Sequence, residues 1–201
     1  MTSNYSLILA SASNTRATLL KKAGVCFDVH PAKMDENKVK SQLLLGNAEF
    51  KTIASALAKE KARIVSSYFP DKWILGADQL LVLNNEIINK AQSLEEAQAI
   101  LERMRGKKHE LITASAIFRE EKLLWSDMVC SSLVVRPFSK QFLGSYIKST
   151  GPNILNSVGC YAFEGKGVQL FDQVCGDYFS ILGLPMLSLL KYLRSVGILE
   201  R

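Results

Sequence analysis

The stretch LILASASNTRATLLKKAG, residues 7–24, joins two patterns that rarely meet so abruptly. Leu7 to Ala10 reads as a short buried strand, and Thr15 to Ala23 as a helix ending at Gly24, where a C-cap glycine belongs. Between them stand Ser11, Ser13 and Asn14, with Arg16 in the first helical turn. A strand that feeds a helix through such a turn points unpaired backbone N–H groups and the positive end of the helix dipole at one spot, which suits phosphate. Ser11 and Ser13 add hydroxyl donors, and Arg16 can fork two N–H groups onto phosphoryl oxygens. The same residues would also serve a plain structure, with Ser13 or Asn14 capping the helix and Arg16 solvated. The turn alone leaves both readings open.

Outward from this turn, strands alternate with helices. VCFDVHPA (25–32) is a second apolar strand stopped by Pro31, and KMDENK (33–38) is charged and loop-like. Residues 48–67 repeat Ile53, Leu57 and Ile64 with Ala54, Ala58 and Ala62 beside them, a helical stripe. WILGADQLLVL (73–83) is nearly continuous in apolar residues, as a strand buried on both faces would be, and Asn84-Asn85 marks a tight hairpin back into EII. Ser93 and Glu96 have capping-box spacing for a helix running to Gly106. HELITASAIF and KLLWSDMVCSSLVVRPF form a long hairpin around Arg119 to Lys122. Ser139 caps a helix over 140–148, and LPMLSLLKYLRSVG forms a last one with Pro185 near its first turn. The order predicts an α/β fold with a mixed sheet, in a single globular unit spanning residues 1–201.

Composition narrows the function classes. The chain of 201 residues is 48% hydrophobic and 22% charged, which excludes disordered and fibrous classes. No apolar run approaches the ~20 residues that span a bilayer, and the polar Met1 to Ser6 is unlike a secretory leader, so the expected location is cytoplasmic with no membrane partner. Asn4 opens an NYS triplet that would matter only in a secreted chain. Cys26, Cys130, Cys160 and Cys175 are scattered, without Cys-x-x-Cys, and His30 and His109 are the two histidines. A zinc site is not expected, and the cysteines read as buried thiols. The formal net charge of +6 favours anionic partners only weakly. The 9 Phe and 6 Tyr are not interleaved with a basic stripe, so nucleic acid is not expected.

Asp78 shifts the balance toward chemistry. A carboxylate inside an apolar strand costs several kcal/mol of desolvation unless partnered. The partner could be a metal, a buried base or a cleft at the strand's end. Asp35 and Glu36 are two further acids, and three acids near a phosphate cradle could hold Mg2+ together with substrate phosphates. Lys61 and Lys90 are candidate phosphate clamps. GCYAFEGKG (159–167) fails as a P-loop, because five residues separate Gly159 from Gly165 and no Ser or Thr follows Lys166. G-x-G-x-x-G and H-E-x-x-H are absent, and nothing favours either histidine for a Ser/His/Asp triad.

With these residues in hand, the chain resembles the Maf family of nucleoside triphosphate pyrophosphatases over nearly its whole length. LILASASNTRATLL is similar to the family's S-x-S-x-x-R opening, MDE to its acidic pair and LAKEKA to its helix lysine. GADQLLVLNNEIINK is similar to its strand-hairpin-lysine segment, and GDYFSILGLP (176–185) to its closing signature. The resemblance implies one α/β domain with a central mixed sheet flanked by helices, like inosine triphosphate pyrophosphatase, with a substrate cleft and often a homodimer. It implies Mg2+- or Mn2+-dependent cleavage between the α and β phosphates, giving a nucleoside monophosphate and pyrophosphate, in a nucleotide house-cleaning role. Carried onto this chain, Ser11, Ser13, Arg16, Lys61 and Lys90 hold the triphosphate. Asp35 or Glu36 places metal with Asp78, and Asp78 is the general base.

The family's commonest form, associated with dTTP and UTP, has Arg, Thr and Gln where this chain has Thr15, Gln79 and Glu164. Gln79 and Glu164 instead resemble the branch acting on 7-methyl-GTP. A carboxylate at Glu164 can accept N1–H and N2–H from a guanine edge and favours the positive charge left by N7 methylation. Thr15 departs from that branch, which has Trp there to stack on the cationic base. Ala91 stands where the family commonly has Pro. The competing readings are a dTTP/UTP pyrophosphatase of the same family and a non-catalytic nucleotide-binding regulator of cell division. Asp78, adverse to polyanions without a cation, favours the enzyme.

Overall fold

The computed structural model describes residues 6–200; Met1 to Tyr5, with Asn4 of the NYS triplet, and Arg201 lie outside the described residues. The fold is α/β, with helices flanking a mixed seven-stranded sheet of order β2-β1-β3-β5-β6-β7 and β4 paired to β3. The strands are β1 Leu7–Leu9, β2 Asp28–Val29, β3 Trp73–Leu83, β4 Glu86–Ile88, β5 Lys108–Arg119, β6 Lys122–Val135 and β7 Phe171–Cys175. The helices are α1 Asn14–Lys22, α2 Glu36–Leu45, α3 Phe50–Tyr68, α4 Leu94–Met104, α5 Lys140–Thr150, α6 Tyr178–Ile181 and α7 Met186–Ser195. By backbone proximity the chain groups into two compact units. The first runs to Asp78 and adds Thr113–Val129 and the segment from Gly183 onward; the second comprises Gln79–Ile112 and Cys130–Leu182. No helix among the described residues is long and apolar enough to cross a membrane.

In the first unit β1 pairs in parallel with β2 and with β3, Leu7 to Leu9 facing Trp73 to Leu75. Parallel neighbours bury β1 completely. Ile8, Ala10, Ala62, Val65, Ile74, Ala116 and Phe118 form one core cluster. The contact of α3 with β3 is exceptionally close. A Cβ at Gly76 would lie 2.2 Å from the Ala58 carbonyl oxygen and 2.7 Å from the Ala62 nitrogen. The stripe expected from Ile53, Ala54, Leu57, Ala58 and Ala62 is buried as read, but Val65 replaces Ile64, which is only half-buried. The small residues thus serve backbone approach.

In the second unit Leu81, Leu83, Leu101, Met104, Leu111 and Leu133 anchor the larger core. Asn84 and Asn85, both at positive φ (51° and 62°), turn β3 into β4. Ser93 Oγ accepts from the Glu96 N–H at 3.2 Å, and the Glu96 carboxylate accepts from the Gln92 N–H at 2.7 Å, so the capping box closes one residue early. Ser139 caps α5 as expected.

Three expectations need correction. KMDENK is not simply a loop: Asp35 caps α2, which begins at Glu36, and no residue of α2 is buried, so no apolar period marks it. The strand expected over 25–32 shrinks to Asp28–Val29. Of the four free cysteines only Cys160 is buried, where desolvation pushes its thiol up to about 11; Cys26, Cys130 and Cys175 are exposed, Cys175 on the edge strand β7.

Gly76→Ala is expected to remove at least about 3 kcal/mol of unfolding free energy, or to prevent folding, because its methyl meets rigid backbone. Urea denaturation of the two proteins measures this.

Candidate functional site

The site begins where β1 ends. Beyond Leu9 the chain turns through Ser11 and Ser13 into α1, at the carboxyl end of parallel strands, where open α/β sheets place their ligands. Ser13 is the N-cap: its hydroxyl accepts from the Arg16 N–H at 3.4 Å, while the Ser13 N–H reaches Ser11 Oγ at 3.3 Å. Thr15 is half-buried in the first turn of α1.

Arg16 is neither a solvated side chain nor simply a clamp. Its guanidinium is buried, with Nε donating to the Gly183 carbonyl at 3.0 Å and Nη1 to Ser11 Oγ at 3.0 Å and to the Ala77 carbonyl at 2.9 Å. One cation therefore ties the serine turn to the strand residue preceding Asp78 and to the loop before α7. Burial pulls its pKa below the ordinary guanidinium value, opposed by the negative charges of Asp78 and Glu36. Nη2 makes none of these bonds and is the part of the fork that could meet a phosphoryl oxygen. Gly183, at φ 109°, permits this approach, since a Cβ there would lie 3.1 Å from Arg16 Nε.

Asp78 is buried in β3, and its partner is a base. Lys61 Nζ on α3 lies 2.5 Å from Asp78 Oδ1 and 2.8 Å from Glu36 Oε1. Gly76 and Asp78 share a face of β3 by two-residue alternation, and Ala58, Lys61 and Ala62 share a face of α3. The backbone approach at Gly76 is therefore what delivers the ammonium to the carboxylate. Glu36 arrives from the first turn of α2, which packs on α3.

The first unit thus brings together Ser11, Ser13, Arg16, Glu36, Lys61 and Asp78. Asp35, the other acid of the pair, is exposed, and its carboxylate caps α2 by accepting from the Lys38 N–H at 3.0 Å. Among the described residues no group of three or more His, Cys, Asp or Glu is arranged to hold a metal. The donor set is two carboxylates, Glu36 and Asp78, around one ammonium. That set fits a hard cation that completes its shell with substrate phosphates and water.

The second unit holds the remaining candidates. Lys90 is exposed two residues past β4. Gln79 gives its amide hydrogens to the Ser180 and Ile181 carbonyls, at 3.0 and 3.1 Å, and so anchors α6. Asp177 caps that helix, accepting from the Ser180 N–H and hydroxyl, both at 2.7 Å. Glu164 is exposed, and the adjoining Phe163 ring meets Phe171 at 5.6 Å and the exposed Tyr178 at 6.0 Å. His109 is buried against Tyr161, and desolvation lowers its pKa to about 4, so it stands neutral in the core. Residue-by-residue reading missed the Ala77 and Gly183 carbonyls as Arg16 acceptors. The only signal was the glycine in GLP.

Residues 6–196 match the family described as Maf-like protein. The chain belongs to the Maf family. Among curated relatives, a protein of Caulobacter vibrioides named nucleoside triphosphate pyrophosphatase is 45% identical over 191 residues, 95% of this chain and 96% of that one. A Rhizobium johnstonii protein named 7-methyl-GTP pyrophosphatase is 40% identical over 194 residues, 96% and 98% of the two chains. A Granulibacter bethesdensis protein named nucleoside triphosphate pyrophosphatase is 44% identical over 188 residues, 94% and 95%. Of the family's opening element, then, this member uses the arginine first as an internal tie.

Arg16→Lys is expected to cost about 2–4 kcal/mol of stability, since a single ammonium cannot span three acceptors that lie 5, 61 and 167 residues from it in sequence. Urea denaturation is the check; a surface phosphate clamp would leave the midpoint unmoved.

Proposed function

We propose that this Maf family member is a metal-dependent nucleoside triphosphate pyrophosphatase, cleaving between the α and β phosphates to release a nucleoside monophosphate and pyrophosphate, with 7-methyl-GTP as the representative substrate. The observation that carries the reading is the Glu36–Lys61–Asp78 cluster, tied through Ala77 and Arg16 to a hydroxyl-lined helix start. A role in merely holding polyanions does not call for two acids at that place. The names of the relatives from C. vibrioides and R. johnstonii support the same class of activity.

In this reading the α1 N-terminus, Ser11 and Ser13 receive phosphoryl oxygens, with Arg16 Nη2, Lys61 and Lys90 supplying positive charge. Glu36 and Asp78 would hold Mg2+ or Mn2+, whose contribution is neutralising charge that builds on the phosphoryl oxygens. Asp35, engaged as a cap, would support α2 and so place Glu36. Asp78 takes the proton of the attacking water at its carboxylate, and the fixed Arg16 ties hold that strand position in register with the serine turn. Attack on the α phosphorus in line with the leaving pyrophosphate needs mainly positioning and charge compensation.

Base choice is assigned to Glu164, which can accept two N–H groups from a guanine edge and favours a cationic ring. Gln79 acts indirectly, through the α6 backbone it anchors. Thr15 offers no stacking surface; Phe163 and Tyr178, an aromatic pair beside Glu164, are the residues that could supply one.

Pyrophosphate release should be measured on a panel of 7-methyl-GTP, GTP, dTTP and UTP with and without Mg2+. The wild type is expected to turn over at least one member with metal, and Asp78→Asn to fall by about 100-fold or more. Glu164→Gln should lower the 7-methyl-GTP to UTP ratio by about tenfold or more. No release from any nucleotide, or an Asp78→Asn variant as fast as wild type, sinks the catalytic reading.

A further inference from the structure

We propose that Lys61 is a resident counter-cation that occupies the place of the divalent metal until nucleotide arrives, so that metal and nucleotide enter together. This inference rests on the reading of Glu36 and Asp78 as the metal-holding carboxylates. The Lys61 ammonium sits within 2.8 Å of one and 2.5 Å of the other. Its side chain and that of Asp78 are about nine-tenths buried, at 10% and 8% exposure, while Glu36 at 45% opens to solvent. Two cations cannot share so small a space between the same oxygens without strong repulsion.

Charge counting gives the direction. Glu36 and Asp78 contribute two negative charges, Lys61 and the neighbouring Arg16 two positive ones, and both acids act electrostatically on Arg16. These four side chains are therefore balanced. A divalent ion alone would leave them two positive charges in excess, whereas a triphosphate carries more negative charge than that, removes the excess and gives the lysine another anion to meet. The backbone of α3 cannot follow, because Ala58 and Ala62 are pressed on Gly76. The exchange falls to the four-carbon stem of Lys61, which is long enough to swing the ammonium from carboxylate to phosphate. Lys61 thus turns from lock to phosphate clamp.

The test measures Mn2+ binding to the full chain by electron paramagnetic resonance, without nucleotide, for wild type and Lys61→Gln. The variant is expected to bind Mn2+ about tenfold tighter or better; equal or weaker binding by a folded variant overturns the proposal. Should Lys61→Gln not fold, the wild type decides through the NMR signals of 15N-labelled lysine ammonium groups. Mg2+ alone is expected to leave the Lys61 Nζ resonance in place, and an α,β-methylene nucleotide added with Mg2+ to move it; a Lys61 signal displaced by Mg2+ alone, or unmoved by the two together, overturns the proposal. The two failures are distinguishable. Loss of the underlying reading appears as absent pyrophosphate release, whereas failure of the lock leaves release intact.

Discussion

A carboxylate at position 78 can sit in a buried strand because an ammonium is brought to it. Taking either charge out of water alone would cost several kcal/mol, more than one core contact returns. The fold meets this demand by geometry. Gly76, two residues earlier on the same face of β3, lets α3 approach until Ala58 and Ala62 touch the strand backbone, and Lys61, one turn along that helix face, then reaches Asp78. Much else follows from this closeness: the small-residue stripe of α3, the seat of α2 against α3, and the presence of Glu36 on the far side of the ammonium.

Arg16 extends the same logic. Its burial would be costly without the Gly183, Ala77 and Ser11 oxygens, and with them it fixes three separate chain segments around one guanidinium. The serine turn, the strand carrying Asp78 and the loop before α7 cannot drift independently. A reaction that depends on positioning a triphosphate against a water gains from such rigidity, since displacements of about 1 Å are expensive in rate. In the proposed function the same residues serve stability and activity, so substitutions at Arg16, Lys61 or Gly76 are expected to report on both.

Much of this was legible in the residues. The buried strand 73–83, the Asn84-Asn85 hairpin and the serine caps at 93 and 139 are each written in local chemistry, by apolar continuity, turn-forming asparagines and hydroxyls one residue before a helix, while the cap of α1 was left between Ser13 and Asn14. Asp78 stood out because an acid in an apolar strand demands a partner. Which partner was not legible, because Lys61 lies 17 residues away on a helix whose register against β3 is set by Gly76 and two alanines. The helix α2 was missed because none of its residues is buried, so hydrophobic period had nothing to record. For Arg16 the residues left a phosphate fork and a solvated side chain open, and its internal role was hidden because two of its three acceptors are the distant Ala77 and Gly183 carbonyls, which no side-chain pattern reveals. The exposed cysteines depart from the usual burial of thiols because they lie on a loop, on β6 and on an edge strand.

The most direct test is a double-mutant cycle of unfolding free energies for Lys61→Met and Asp78→Asn. The account predicts that each single change is strongly destabilising, by about 3 kcal/mol, and that the double variant recovers at least about 2 kcal/mol of the sum, because removing one partner strands the other's charge. Effects that add to within about 0.5 kcal/mol would contradict it, leaving Asp78 stabilised by something other than Lys61.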